Sequence, residues 1–416
     1  MGNSMGPIQS ISDVKMVTLR LRIISIGIFV HLLALSALSN PVVIPAPSEQ
    51  AVNYHNVSNI AWGINETLTL LLAVVFLIFG LGTRMRTSNK FLKLGKYLTF
   101  VILAAIFFTI NWLIQLPLER IRTTTRNQLE NNTSPPILQW ILSQLLESLP
   151  LIIFSILATL FVFWLINKSP QKWWLWAAAV FSALFLVFLV IEPFTISHNP
   201  LGQSPLEIKV SGLAEQIGIP KSSVVLEDCE PFDKCEIAHV AGLGPTRLVL
   251  LNKGLLENYP EDWTIQTFAH ESKHFVKDDN LLGWFVLTFI LLAFFWLLDC
   301  ICGTIVRRYS KQLGFSSIGQ PAALPLIILV LNIMYLFALP PVNMFRQHVE
   351  FEADRFGLEL THENEVLAEM VSSWTAKSNL RMPNPSLFFM LFRSSHPSDA
   401  TRISFANEYQ LKDKKE

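Results

Sequence analysis

Charge is what this sequence has least of. Lys, Arg, Asp and Glu make up 15% of its 416 residues, where soluble globular domains carry about 25%. That shortage, with 51% apolar residues and a mean hydropathy of +0.42, excludes an ordinary soluble domain and points to a membrane protein. Basic and acidic residues balance to a net charge of zero, which gives no hint of a nucleic-acid or acidic partner. Long runs of one sign are missing as well, and the closing KDKKE reads as a solvated tail. Cysteine is equally scarce. Cys229, Cys235, Cys300 and Cys302 are too few for a disulfide scaffold, and neither spacing is that of a zinc knuckle. The sequence has no internal repeat or low-complexity segment, and it sets no oligomeric state.

What is abundant is long apolar runs. A helix needs about 20 apolar residues to cross a bilayer. Seven stretches qualify, near 23–39, 66–82, 97–115, 149–166, 173–194, 282–305 and 321–341. The first follows Arg20 and Arg22 and is expected to be an anchor rather than a cleaved signal. Trp173, Trp174 and Trp176 suit an interfacial aromatic belt. The spans contain few ionisable groups, chiefly Asp299 and Glu192 near their ends, with Asn111 and Gln115 in the third. Transporters place such groups mid-membrane, so their scarcity argues against transport.

Orientation follows from Lys and Arg in the connecting segments. With the N-terminus cytoplasmic, thirteen basic residues fall on the cytoplasmic side, among them Arg84, Lys168 and Arg307. Three, Arg120, Arg122 and Arg126, fall opposite. This assignment sends 195–281 and 342–416 to the non-cytoplasmic side, in a bacterial inner membrane or, as the lesser alternative, the endoplasmic reticulum. The segment 195–281 is the sizeable polar region between spans. PLEIKVSGLAEQIG predicts an amphipathic helix ended by glycine, SVVLED and TRLVLLN predict strands, and GLGP predicts a turn between them. YPEDW starts a helix that carries HESKH and is expected to run on into the sixth span. VNMFRQHVEFEADRFGLELT predicts a second long helix, continuous with the seventh. The expected fold is mainly α: a polytopic helical bundle of about seven spans with a small α+β, zincin-like catalytic layer at one face. The boundary is expected at 194/195, with five spans before it and two after.

Within that layer, His270 and His274 are i and i+4 on a helix, so both imidazoles leave one face about a turn apart. Two ligands of one zinc ion need that spacing. Glu271 lies roughly 100° round the helix, placed to take a proton from water at the metal and pass it to a leaving amine. The third ligand is expected from RQHVEFEADRFG, where Glu350 and Asp354 are again i and i+4. One carboxylate can complete the shell and the other can hold a ligand histidine through its second ring nitrogen. Depth supports the pairing. His274 lies about 12 Å before the sixth span and Glu350 about 13 Å after the seventh, at 1.5 Å per residue. Two antiparallel spans therefore bring them to one side at one level.

These motifs, together with WWLWAAAVFSALFLVFLVIEPFTIS, GLGPTRLVLLNKGLL and SHPSDATR, make the chain similar to the M48 zinc metallopeptidases, in particular their Ste24-type membrane branch. The resemblance implies one zinc ion per chain on His270, His274 and Glu350, with Glu271 as catalytic base and Asp354 as partner of a ligand. From SHPSDATR it implies His396 near the transition-state oxyanion and Arg402 bracing the acidic helix. The expected function is an integral membrane zinc metalloendopeptidase, with a polypeptide substrate, a lipid bilayer as its setting and no nucleic acid. A CAAX prenyl endopeptidase is the alternative within the class. A proteolytically inactive scaffold or a transporter with a metal site is the alternative outside it.

Three positions depart from the family pattern. Lys273 stands where glycine is usual before the second histidine, Ile237-Ala238-His239 replaces NA(Y/F), and HNPLGQSP replaces an NKF-like stretch. His239 is a candidate substitute for the missing asparagine. Cys229 and Cys235 flank a short loop in which a disulfide and two thiols are both open; a disulfide fits the non-cytoplasmic side. Cys300 and Cys302 are expected to be packing residues.

Overall fold

The structure, a computed structural model, describes residues 41–87, 95–229, 237–378 and 380–409. The chain divides into two compact units, Met1–Val43 and Ile44–Glu416, and the second holds every helix and strand described. The predicted span 23–39 lies outside the described residues.

Six of the other predicted spans appear as helices long and apolar enough to cross a membrane. They are α1 (Glu49–Ile78), α3 (Gly95–Leu129), α4 (Ile137–Lys168), α5 (Trp173–Ile191), α9 (Asp279–Leu313) and α10 (Leu324–Thr361). A short α2 (Leu81–Thr87) follows α1. Most are longer than the apolar run alone predicts, because the helix continues through flanking, more polar turns. Ser48 starts α1 by accepting a hydrogen bond from the Ala51 amide, one of the N–H groups that a helix start leaves unpaired. The apolar window of the helix built on Pro321–Thr361 is 44% buried, against 6–28% for the other five, which puts α10 at the centre of the bundle. One apolar cluster joins α4, α5, α9 and α10, and another joins α1, α3, α4 and α10. Polar groups within the spans find partners in each other. Trp173 Nε1 donates to Asp299 at 2.7 Å, and Thr69 Oγ1 donates to Asn111 at 3.0 Å while accepting from Gln115. Of the span cysteines, Cys302 is buried in the first cluster and Cys300 is exposed.

The catalytic layer contains α6 (Pro205–Gln216), α7 (Lys253–Asn258), α8 (Glu261–Val276) and a four-stranded sheet. Its strands are β1 (His198–Pro200), β2 (Val224–Glu227), β3 (Ala238–Ala241) and β4 (Leu248–Asn252), in the order β1-β2-β4-β3. β2 and β4 are parallel, the other two pairs antiparallel. α6 is closed by a Ser204–Glu207 capping box. The predicted strands SVVLED and TRLVLLN are present; β1 and β3 are too short and too polar to have shown a period. Gly242 turns the chain between β3 and β4 at φ +91°, where an added Cβ would sit 2.5 Å from the Thr246 carbonyl. Val210, Ala214, Val249, Leu251, Leu255 and Phe268 form the layer's core.

One expectation is corrected and one open alternative is settled. HESKH and the sixth span do not share a helix: α8 ends at Val276, Asp278 takes a left-handed φ of +55°, and α9 begins at Asp279. Aspartate tolerates this conformation better than most residues. Arg247 fixes the break, stacking on Phe275, donating to its carbonyl and pairing with Asp278 at 2.7 Å. The cysteine alternatives resolve to a disulfide at Cys229; Cys235 lies outside the described residues. The expected continuity of the seventh span with the acidic helix holds, since α10 runs unbroken from Leu324 to Thr361.

Candidate metal centre

α8 and α10 cross at the site. Gly357 permits the approach, because a Cβ there would lie 2.7 Å from the Gln266 side chain and 3.5 Å from the His270 amide. The crossing brings His270, His274 and Glu350 together, with one potential ligand atom from each within 4.8 Å of the others. His270 Nε2 is 3.3 Å and His274 Nε2 3.9 Å from Glu350 Oε2.

The donor set has a definite chemistry. His270 Nδ1 lies 2.9 Å from Asp354 Oδ1, and His274 Nδ1 lies 2.6 Å from Asp279 Oδ2. Ionised carboxylates only accept, so each Nδ1 carries a hydrogen, and a ring that gives up its other proton turns an Nε2 lone pair toward Glu350. Three acceptors then face one another with no donor between them. A cation satisfies all three, so the residues fit a bound metal ion. The protein's own charges lean the same way. Without a metal, burial pushes the His270 imidazole down, but its bonds to Asp354 and Glu350 and the charges of Asp354 and Glu271 raise it to about 10, so a proton on Nε2 stands where a cation would and a metal ion has to displace it. The site draws positive charge.

Asp354 is 0% exposed and is held from the far side by Arg402, whose Nε and Nη2 each donate at 2.7 Å. Burial opposes the Arg402 charge, and the Asp354 carboxylate more than restores it. His396 Nε2 stands 3.4 Å from Glu350 Oε2 on a largely exposed ring. His270, Glu271, His396 and Arg402 line one cleft of about 440 Å³, and Glu350, His274 and Asp354 stand directly behind them. Every site residue expected from the sequence is therefore brought to one place. His239 is not. Ile237 and Ala238 line the cleft, while His239 faces Glu227 at 3.8 Å, so it does not stand in for the missing asparagine.

Several residues escape sequence reasoning. Asp279 backs His274 only because the helix breaks at Asp278, which no periodicity foretells. The cleft also has a wall from the membrane region. The short α12 (Leu387–Phe392) and the turn after it dock on α1, with Arg393 donating to Ser58 and Asn59, Trp62 against Phe388, and Phe389 on His55. His55 thereby reaches the cleft. The layer is completed by α11 (Asn364–Lys377) and α13 (Asp399–Glu408), the latter started by Ser398 and carrying Arg402.

A bundle of membrane helices whose extensions carry this cleft defines an integral membrane metalloprotease. Residues 200–410 match peptidase family M48, and residues 46–200 match the five-helix N-terminal region of CAAX prenyl proteases. The chain belongs to peptidase family M48, the zinc metalloproteases. It is 27% identical over 380 residues to the uncharacterized metalloprotease YhfN of Bacillus subtilis, covering 89% of this chain and 88% of that one. It is 21% identical over 301 residues to the CAAX prenyl protease 1 homolog of Dictyostelium discoideum, 66% of each. In fold it is similar to the crystal structure of Ste24p from S. mikatae, with a TM-score of 0.69 and 15% identity over 90% of this chain and 94% of that one.

Proposed function

We propose that His270, His274 and Glu350 hold one zinc ion per chain, and that Glu271 is the base of a peptide-bond hydrolysis performed on membrane-associated or misfolded polypeptides. The observation that carries the reading is the convergence of ligand atoms from His270, His274 and Glu350 beside a cleft lined by His270 and the free carboxylate of Glu271. The chemistry such an ion supplies when bound is polarisation of a carbonyl and a more acidic water. Glu271 takes a proton in that cleft and returns it to the leaving nitrogen. His396, at the same cleft, donates to the negative charge that develops on the carbonyl oxygen. Asp354 and Arg402 keep His270 in the tautomer that presents Nε2. Residues 1–194 supply the membrane region and 195–416 the peptidase, with Ile237 and Ala238 at the edge strand β3 bordering the substrate path.

Removal and return of metal tests the ligand set. A strong chelator is expected to abolish cleavage of casein by the detergent-solubilised protein, and one equivalent of zinc to restore it. His274→Ala is expected to bind less than a tenth of an equivalent. Cleavage that persists without bound metal overturns the reading.

A second reading, removal of the C-terminal tripeptide of prenylated proteins, is favoured by the match of 46–200 to CAAX prenyl proteases. Against it stand the charge asymmetry of the loops and the disulfide at Cys229, both of which suit a non-cytoplasmic catalytic layer. Orientation decides. With a membrane-impermeant maleimide added outside intact cells, Lys253→Cys in the layer is expected to react and Lys311→Cys on the opposite side to be protected. The reverse pattern leaves prenyl-protein processing as the function.

A further inference from the structure

Lys273, where the M48 motif usually has glycine, is 7% exposed and makes two hydrogen bonds. Its ammonium donates to Asp279 Oδ2 at 2.7 Å and to the Val349 carbonyl at 3.0 Å. The same Asp279 oxygen accepts from His274 Nδ1. We infer that Lys273 and Asp279 are positioning residues of the metal centre, forming behind His274 a relay of imidazole, carboxylate and cation like the one that Asp354 and Arg402 form behind His270. The inference rests on the proposed ligand set.

Three observations carry it. The first is the correspondence itself: each histidine is backed through Nδ1 by a carboxylate oxygen, and that same oxygen also takes a hydrogen bond from a mostly buried cation. A carboxylate left without its cation is a costly buried charge, and a histidine left without its carboxylate is free to turn. The second is charge. Four carboxylates, Glu271, Glu350, Asp354 and Asp279, surround the site, and Arg402, Lys273 and a divalent ion balance them. Glycine at 273 would leave one negative charge unmatched. The third is connectivity. Lys273 belongs to α8, Asp279 is the first residue of α9, and Val349 precedes Glu350 on α10. One ammonium therefore ties together the helices that hold the two histidines and the glutamate. The geometry depends on the break at Asp278. In a straight helix Asp279 would lie about 9 Å along the axis from Lys273, at 1.5 Å per residue, and on another face.

The experiment compares Asp279→Asn, Lys273→Met and the double variant as zinc-loaded proteins, well below their unfolding temperatures. Asp279→Asn is expected to transfer zinc to a chelator about 10- to 100-fold faster than the parent. Lys273→Met, which keeps the length of the side chain without its charge, is expected to speed transfer too. In the double variant the effects should not multiply, because neither a lone cation nor a lone carboxylate remains. Cobalt substituted for zinc should show altered visible bands in both single variants. A packing role would lower thermal midpoints and leave transfer rate and cobalt spectrum unmoved; that result overturns the relay, as does strict multiplication in the double variant. A parent that holds no zinc, or that keeps it in His274→Ala, sinks the ligand set as well. Zinc held through His274 with an unchanged Lys273→Met sinks the relay alone.

Discussion

Glu271→Gln is expected to keep its full complement of zinc and to lose about 10³- to 10⁴-fold in cleavage rate, the upper range of what a general base contributes. At 1.36 kcal/mol per decade, that is about 4–5 kcal/mol of barrier. The separation of binding from catalysis follows from geometry. The metal-facing atoms come from His270, His274 and Glu350, and Glu271 is not among them. Its side chain lines the cleft and makes no hydrogen bond among the described residues, so an amide of the same shape disturbs no fold contact. What the amide cannot do is accept a proton at neutral pH. Zinc content by elemental analysis and casein cleavage, measured on one preparation, check the result. Parental activity in this variant would assign the base elsewhere; loss of zinc would make Glu271 a ligand.

Arg402→Met is expected to destabilise the protein by about 3–5 kcal/mol, the cost of breaking a buried ion pair by removing one partner. Asp354 is wholly buried, and Arg402 supplies two of its three hydrogen bonds. Without the guanidinium, the carboxylate stays behind as an uncompensated charge between α10 and α13. It can escape only by taking a proton or by drawing His270 away from Glu350, and both spoil the metal centre. Arg402→Lys should recover part of the loss, since a point charge replaces the cation but not the two-pronged fit. Thermal unfolding in detergent, with zinc content measured alongside, separates these outcomes. A methionine variant with the parental midpoint and zinc content would show that Arg402 does not support the site.

The ligands and the base were legible because helices impose a period. Four-residue spacing put His270 beside His274 and Glu350 above Asp354, and matched depth across two spans paired the helices. Arg402 and His396 were legible only through resemblance to M48, since a loop and a short helix carry no period linking them to residues some 50 positions away. Asp279 was hidden for a different reason. The sequence after HESKH has weak helix formers in Asp278, Asp279 and Asn280 but no Gly or Pro to place a stop there, and the break at Asp278 is fixed by Arg247, about 30 positions earlier in the chain. Strands β1 and β3, three and four residues long, owe their existence to pairing with β2 and β4 rather than to their own pattern. The docking of Arg393 on α1 joins residues more than 300 positions apart, beyond the reach of local pattern.

α9 and the membrane-spanning part of α10 lie between the two histidines and Glu350, which is 80 residues from His270. During synthesis, HESKH therefore leaves the ribosome with neither its third ligand nor the second half of its cleft. Both arrive only after two more helices have entered the bilayer and turned the chain back. A protease that completes its own site last cannot cut neighbouring nascent chains while it is being made.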